Sequence, residues 1–115
     1  MTGRQHLDEE ALAELQDVME DEFDVLIHTY IVDSRDRIAS LKAALAAVEA
    51  DTFARTAHSL KGSSINIGAP RLGELCLEAE EAGKAPDLGE ASRLVGAIEH
   101  EFATVSGLLE RLLVR

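Results

Sequence analysis

The chain has 115 residues, 46% hydrophobic and 3% aromatic, with a formal net charge of −11; that length allows one domain with one core but not a core plus a nucleotide-binding module. The acidity argues against nucleic acid, which needs a broad basic surface, and against anionic membranes. No apolar run approaches the roughly 18 residues of a spanning helix, and residues 1–6 lead into no secretory signal, so a cytoplasmic protein is expected.

Leu, Ala, Val and Ile dominate and there are two prolines, a composition that favours helix. Residues 1–7 are expected to form a flexible N-terminus, with His6 in it. The first helix begins after Asp8, a good N-cap, and places Leu12, Leu15 and Val18/Met19 at helical spacing before ending near Glu20. The second runs from about 21 to 49, with Phe23, Ile27, Tyr30, Ser34, Ile38, Leu41, Leu45 and Val48 as its apolar seam. Asp51 can cap the third, whose seam is Phe53, Ala57, Leu60, Ser64 and Ile67; Gly68 stops it and Pro70 starts the fourth. The fourth extends to about Ala82, ended by Gly83 and Pro86. Its Cys76 falls beside Leu72, Leu75 and Ala79 and reads as core filler, since a lone cysteine has no second thiol to pair with. Asp87 with Glu90 makes a capping-box-like start for the fifth helix, which carries Ala91, Leu94, Val95, Ile98, Phe102, Val105, Leu109 and Leu112 toward the C-terminus. Loops this short force neighbouring helices to be antiparallel. The expected fold is all-α: an up-down-up-down four-helix bundle in one domain, 1–115, with the short first helix across one end.

The third helix carries the most informative stretch. From 52 to 73 the chain holds Arg55, Lys61 and Arg71 but no Asp or Glu. With about 100° per residue, Ala54, His58, Lys61, Gly62 and Ile65 project to one side of the seam. A glycine inside a helix costs about 1 kcal/mol relative to alanine, and nothing in the core pattern asks for Gly62. Its missing side chain would let another protein reach the imidazole one turn away, while Lys61 can place its ammonium near any group attached to that ring. Ser63 and Ser64 read as small residues that permit close packing. A nucleophilic imidazole in a cationic window of an anionic chain suits the carriage of a phosphoryl anion.

The run His58-Ser-Leu-Lys61-Gly62-Ser-Ser, with Gly68 and Leu72 beyond it, resembles the histidine-containing phosphotransfer (HPt) domains of multistep two-component signalling. The resemblance covers nearly the whole chain, and the length is similar to that of stand-alone HptB-like members. It implies that His58 accepts a phosphoryl group from a receiver-domain phospho-aspartate and passes it to the aspartate of another. It also implies that Lys61 steadies the phosphorylated form and Gly62 keeps the approach open. Some members have a glutamine 22 residues after the histidine that bonds to the imidazole. Here that position is Glu80, which can accept from a ring N–H and fix the tautomer but cannot donate to a phosphoryl group. The implied partners are receiver domains of hybrid sensor kinases and response regulators, met by a monomeric protein through Ile65, Ala54 and Arg55. Partial burial under a neighbouring helix is an equal alternative for Ile65.

No phosphate loop or dinucleotide fingerprint is present, so no ATP binding, autokinase activity or cofactor is expected. The window around His58 lacks acids for Mg²⁺, which is therefore expected in the partner receiver domain. A metal-binding bundle would place carboxylates three residues before its histidines; the residues three before His28, His58 and His100 are Val25, Arg55 and Ala97. A non-catalytic helical adaptor for signalling proteins accounts for the bundle but not for Gly62, Lys61 and the acid-free window. A hydrolytic general base lacks a visible nucleophile and orienting acid at helical spacing.

Overall fold

Capping chemistry divides the chain into helices where the hydrophobic pattern changes face. In the computed structural model, which describes residues 5–113, these are α1 (Glu9–Met19), a 3₁₀ turn (Glu20–Glu22), α2 (Phe23–Ala46), α3 (Ala50–Asn66), α4 (Pro70–Lys84) and α5 (Leu88–Leu113). Asp8 caps α1 as expected, its Oδ1 accepting from Ala11 N–H at 3.1 Å. Asp87 Oδ1 accepts from Glu90 N–H at 3.0 Å. The capping box is only half formed, because the Glu90 carboxylate turns to Arg93, 2.6 Å away, instead of reaching back.

Around the bundle α2 packs on α3 and α5, and α4 packs on α3 and α5, with α3 and α4 in the most intimate contact. Three-residue connections at 47–49, 67–69 and 85–87 leave each pair of neighbours antiparallel. The core is filled by Phe23, Ile27, Leu41, Leu60, Leu72, Leu94, Ile98, Val105 and Leu109, all almost fully buried. Cys76 is buried among them, as its seam position predicted. Burial pushes its thiol up to about 12, against a smaller opposing pull from Lys61. Ser64 does more than save space: its Oγ lies 2.8 Å from the Tyr30 hydroxyl inside the core.

Several expected boundaries move. Asp51 does not cap α3; Glu49 holds that position with no side-chain bond, while Asp51 lies within the helix, 3.2 Å from Arg55. Gly83 does not end α4. It lies inside the helix, where a Cβ would meet Phe53 Cδ1 at 3.0 Å and the Ala54 Cβ and backbone nitrogen at 3.2 Å. Val48 is not a seam residue but the left-handed residue that closes α2, with φ 56° and an exposed side chain. Val48 N–H donates to Leu45 and Glu49 N–H to Ala44, a Schellman arrangement. The same arrangement ends α3, where Gly68 takes φ 88°, a conformation suited to glycine, and Gly68 and Ala69 donate to Ile65 and Ser64. The second helix is thus closed by a β-branched residue where the third uses glycine.

The N-terminal end is tied down over the part described. Asp8 N–H donates to Gly68 C=O at 2.8 Å and Arg71 N–H to Gln5 C=O at 3.3 Å. His6 Nδ1 lies 2.7 Å from the buried Glu101, which also accepts from Arg71 Nε at 3.1 Å. His6 is therefore anchored and not frayed. Residues 1–4 of the expected flexible segment, and the last two residues of the chain, lie outside the described residues.

Two stability predictions arise from this packing. Gly83→Ala should lower unfolding free energy by about 1–2 kcal/mol, overpacking outweighing the gain in helix propensity, and urea titration reads the difference. Val48→Gly should raise it by about 1 kcal/mol by relieving the left-handed penalty; an unmoved urea midpoint would refute the strain.

Candidate functional site

On α4, Gly73, Glu80 and Gly83 recur at spacings of seven and three and share one stripe of the helix. Gly73 lies under Ile65 and Gly83 under Phe53 and Ala54, so α4 comes close enough for Glu80 to reach α3. His58 points outward with 64% of its side chain exposed, while the Glu80 side chain below it is only 9% exposed. The imidazole Nδ1 is 3.2 Å from both carboxylate oxygens. Lys61 Nζ donates to Oε1 at 3.4 Å, and Lys84 Nζ stands 3.1 Å from Oε2.

Burial alone would push the Glu80 carboxyl up. Hydrogen bonds from Lys84, His58 and Lys61, with the charge of Lys61, overcome that and hold it down to about 2. The group is therefore an anion near neutral pH, and an ionised carboxylate only accepts. The proton between Glu80 and His58 must then belong to Nδ1, which leaves Nε2 of a neutral ring as the free base. Beside it the Cβ position of Gly62 has no atom of a neighbouring element within 4 Å. The site is an exposed, oriented nitrogen nucleophile with two ammonium groups at hand and open space for a partner.

The structure brings His58, Lys61 and Glu80 together, with Gly62 one turn after His58 on the same helix. Ala54 does not join them; it is only 5% exposed, covered by α4 at Gly83, and cannot meet a partner. Arg55 is exposed beside Asp51. Ile65 combines both alternatives, resting on Gly73 while staying 57% exposed. It shares a groove with Lys61, Gly73 and Leu77, and Leu77 is itself an exposed apolar residue. On the other flank Arg37, Arg55, Ser40, Thr52, Thr56 and Ser59 line a polar groove between α2 and α3, where Arg37 Nε donates to Ser59 Oγ at 2.9 Å. Sequence reasoning missed Leu77 and Lys84. Leu77 falls off the seam marked by Leu72, Cys76 and Ala79, and Lys84 lies four residues after Glu80, so a signal for each was present. Among the described residues no group of three His, Cys, Asp or Glu side chains is placed to hold a metal.

A bundle helix that presents a histidine in this way defines a histidine phosphotransfer protein. The family model for the Hpt domain matches residues 25–112, and the chain belongs to that family. It is similar to the crystal structure of histidine-containing phosphotransfer protein B (HptB) from Pseudomonas aeruginosa PAO1, with 45% identity and a TM-score of 0.91 over 95% of each chain. The fold is also shared with histidine-containing phosphotransfer proteins from Medicago truncatula and maize. The first has 24% identity and a TM-score of 0.82 over 94% of this chain and 77% of that one. The second has 22% identity and a TM-score of 0.80 over 94% and 88%. No curated protein sequence matches the chain significantly. The protein is thus a phosphorelay intermediate of two-component signalling, a phosphotransfer carrier and not a classical enzyme.

The depressed Glu80 value has a consequence for stability. Its ordinary value is 4.5 and its folded value about 2, so the stabilisation is complete above pH 4.5 and is lost as pH falls toward 2. The loss should be on the order of 2–3 kcal/mol. Glu80→Gln should flatten this acid limb, measured by urea unfolding at a series of pH values; an unchanged limb would contradict the network.

Proposed function

We propose that His58 is the phosphorylated residue. Its Nε2 attacks the phosphorus of a receiver-domain phospho-aspartate, and the group is later passed to the aspartate of a response regulator. The observation that carries this is the placement of the ring: Nδ1 lies 3.2 Å from both Glu80 oxygens, which leaves Nε2 as the nitrogen turned away from the carboxylate, one turn from the opening at Gly62. Lys61 and Lys84 lie within a side-chain swing of a phosphoryl group on that nitrogen, and their ammonium charges stabilise it there. Gly62 admits the partner, the apolar shelf of Ile65 and Leu77 receives it on one flank, and Arg55 meets it on the other.

Phosphoryl transfer needs positioning and charge neutralisation more than covalent help from the protein. The Mg²⁺ that performs part of that neutralisation belongs to the partner receiver domain. The protein acts as a cytoplasmic monomer with no ATP binding or autokinase activity of its own. No helix among the described residues is long and apolar enough to cross a membrane.

The test mixes purified protein with phosphorylated receiver domains and follows acid-labile label by intact mass. The wild type should take label and lose it to a second receiver, while His58→Gln should take none. Label on His58→Gln would overturn the assignment. Signalling that survives His58→Gln but not Ile65→Asp would favour a non-catalytic adaptor. Gly62→Gln should slow transfer at least about tenfold through lost access while leaving far-ultraviolet circular dichroism unchanged. Unaltered kinetics would show that the opening at Gly62 is not used.

A further inference from the structure

The carboxylate under His58 has a part to play after the phosphoryl group arrives, an inference that rests on His58 being the phosphoacceptor. In acceptance, the Nε2 lone pair forms the N–P bond while the bond from phosphorus to the donor carboxyl oxygen breaks and its electron pair leaves on that oxygen. If Nδ1 keeps its proton, the ring becomes a phosphoimidazolium. In donation, the second receiver's carboxylate oxygen attacks phosphorus, the N–P bond breaks, and the electron pair returns to Nε2 of a neutral ring. If Nδ1 loses its proton between these steps, donation must instead expel an imidazolate anion, a much poorer leaving group. Retention of one proton therefore decides whether phospho-His58 is a ready donor or a stable store.

We propose that Glu80 is a proton-retaining positioning residue, whose carboxylate keeps Nδ1 of His58 protonated through the whole transfer cycle and so holds the phosphorylated ring in its donor form. Both carboxylate oxygens lie 3.2 Å from Nδ1. A deprotonated Nδ1 would turn its lone pair toward two acceptors with no donor between them, whereas an amide in that place can rotate and donate to the bare nitrogen. The Glu80 side chain is 9% exposed, so water competes poorly for the role.

The surrounding charges assist this exchange. From α3, Lys61 is 3.4 Å from Glu80, and from α4, Lys84 is 3.1 Å away. Arg37 of α2 reaches only Ser59, and Arg93 of α5 is held by Glu90. In the free protein the two lysines more than balance the carboxylate. Once the phosphoryl dianion is attached it draws Lys61, one turn from His58, and the carboxylate charge falls to the imidazolium. No proton crosses to solvent at the ring during the cycle, and no co-reactant is needed.

The test compares phosphorylated wild type, Glu80→Gln and Lys84→Met. Each donates to one receiver domain between about pH 6 and 9, the range over which imidazoles titrate, with ¹⁵N spectra of the phosphorylated ring recorded in parallel. The ratio of variant to wild-type rates cancels the receiver's own titration. For Glu80→Gln the midpoint of donation should fall by about one pH unit or more, so that near the alkaline end it donates about tenfold more slowly and its phosphohistidine outlives that of the wild type. Lys84→Met, at an exposed position, should show a midpoint no lower than that of the wild type. A Glu80→Gln ratio constant across the range, or a ¹⁵N signature of bare Nδ1 in phosphorylated wild type at neutral pH, would overturn the proposal while leaving His58 as phosphoacceptor. Failure of the wild type to take label from any active receiver would remove that assignment and this inference with it.

Discussion

Glu80 reaches His58 because α4 offers only a hydrogen atom at two points, Gly73 and Gly83, where it lies closest against α3. At Gly83 an added Cβ would press on the Phe53 ring and the Ala54 backbone, and at Gly73 it would fall 2.7 Å from Ile65 Cγ1. A larger residue at either place would hold the helices apart, and a glutamate side chain is too short to make up much lost distance. The two glycines weaken the helix that carries them, since each lowers helix propensity by about 1 kcal/mol relative to alanine. Fifteen residues of α4 accept that weakness, supported by contacts on two flanks, and the nucleophile gains its orienting group in return.

The buried Glu80 carboxylate stabilises the fold because its hydrogen bonds and ion pairs outweigh its desolvation, but stability is not its main use. Its value at this site lies in direction. Glu80 is approached from three sides, by an imidazole and two ammonium groups, and only the imidazole presents a nitrogen that can also serve as a nucleophile. The same anion fixes the tautomer and compensates the lysines, which would otherwise stand as uncancelled positive charge in the free protein. Charge and geometry are set by one side chain, and both are disturbed when it is changed.

The residues whose meaning depends on one helix were legible in the sequence. Asp8 caps its own helix, Cys76 follows its own seam, and His58, Lys61 and Gly62 share a face fixed by the 100° step. What could not be read depends on two helices at once. Gly83 looked like a stop signal because a terminal glycine and an interhelical contact have the same letter, and Ala54 looked exposed because its cover comes from another helix. The window around His58 is free of acids along the chain but not in space, since folding brings Glu80 into it. Val48 was misplaced for another reason: its position obeys the seam period, but α2 has already stopped at Ala46 and turned left-handed. Residues 5–7 carry no periodic signal, and the anchoring of Gln5 by Arg71 and of His6 by Glu101 arises entirely from tertiary contacts.

Cys76 bears on how the molecule behaves under oxidative stress. A thiol reacts with peroxides and disulfides as its thiolate, and reaction requires access. Cys76 has no exposed surface, and burial holds its thiol near 12, so neither condition is met in the folded state. It cannot join two copies through a disulfide without unfolding of the bundle. The imidazole and the thiol are both nucleophiles of the same small chain, but only the imidazole faces solvent. The phosphoryl signal is thereby insulated from the redox state of its surroundings by the packing of the core.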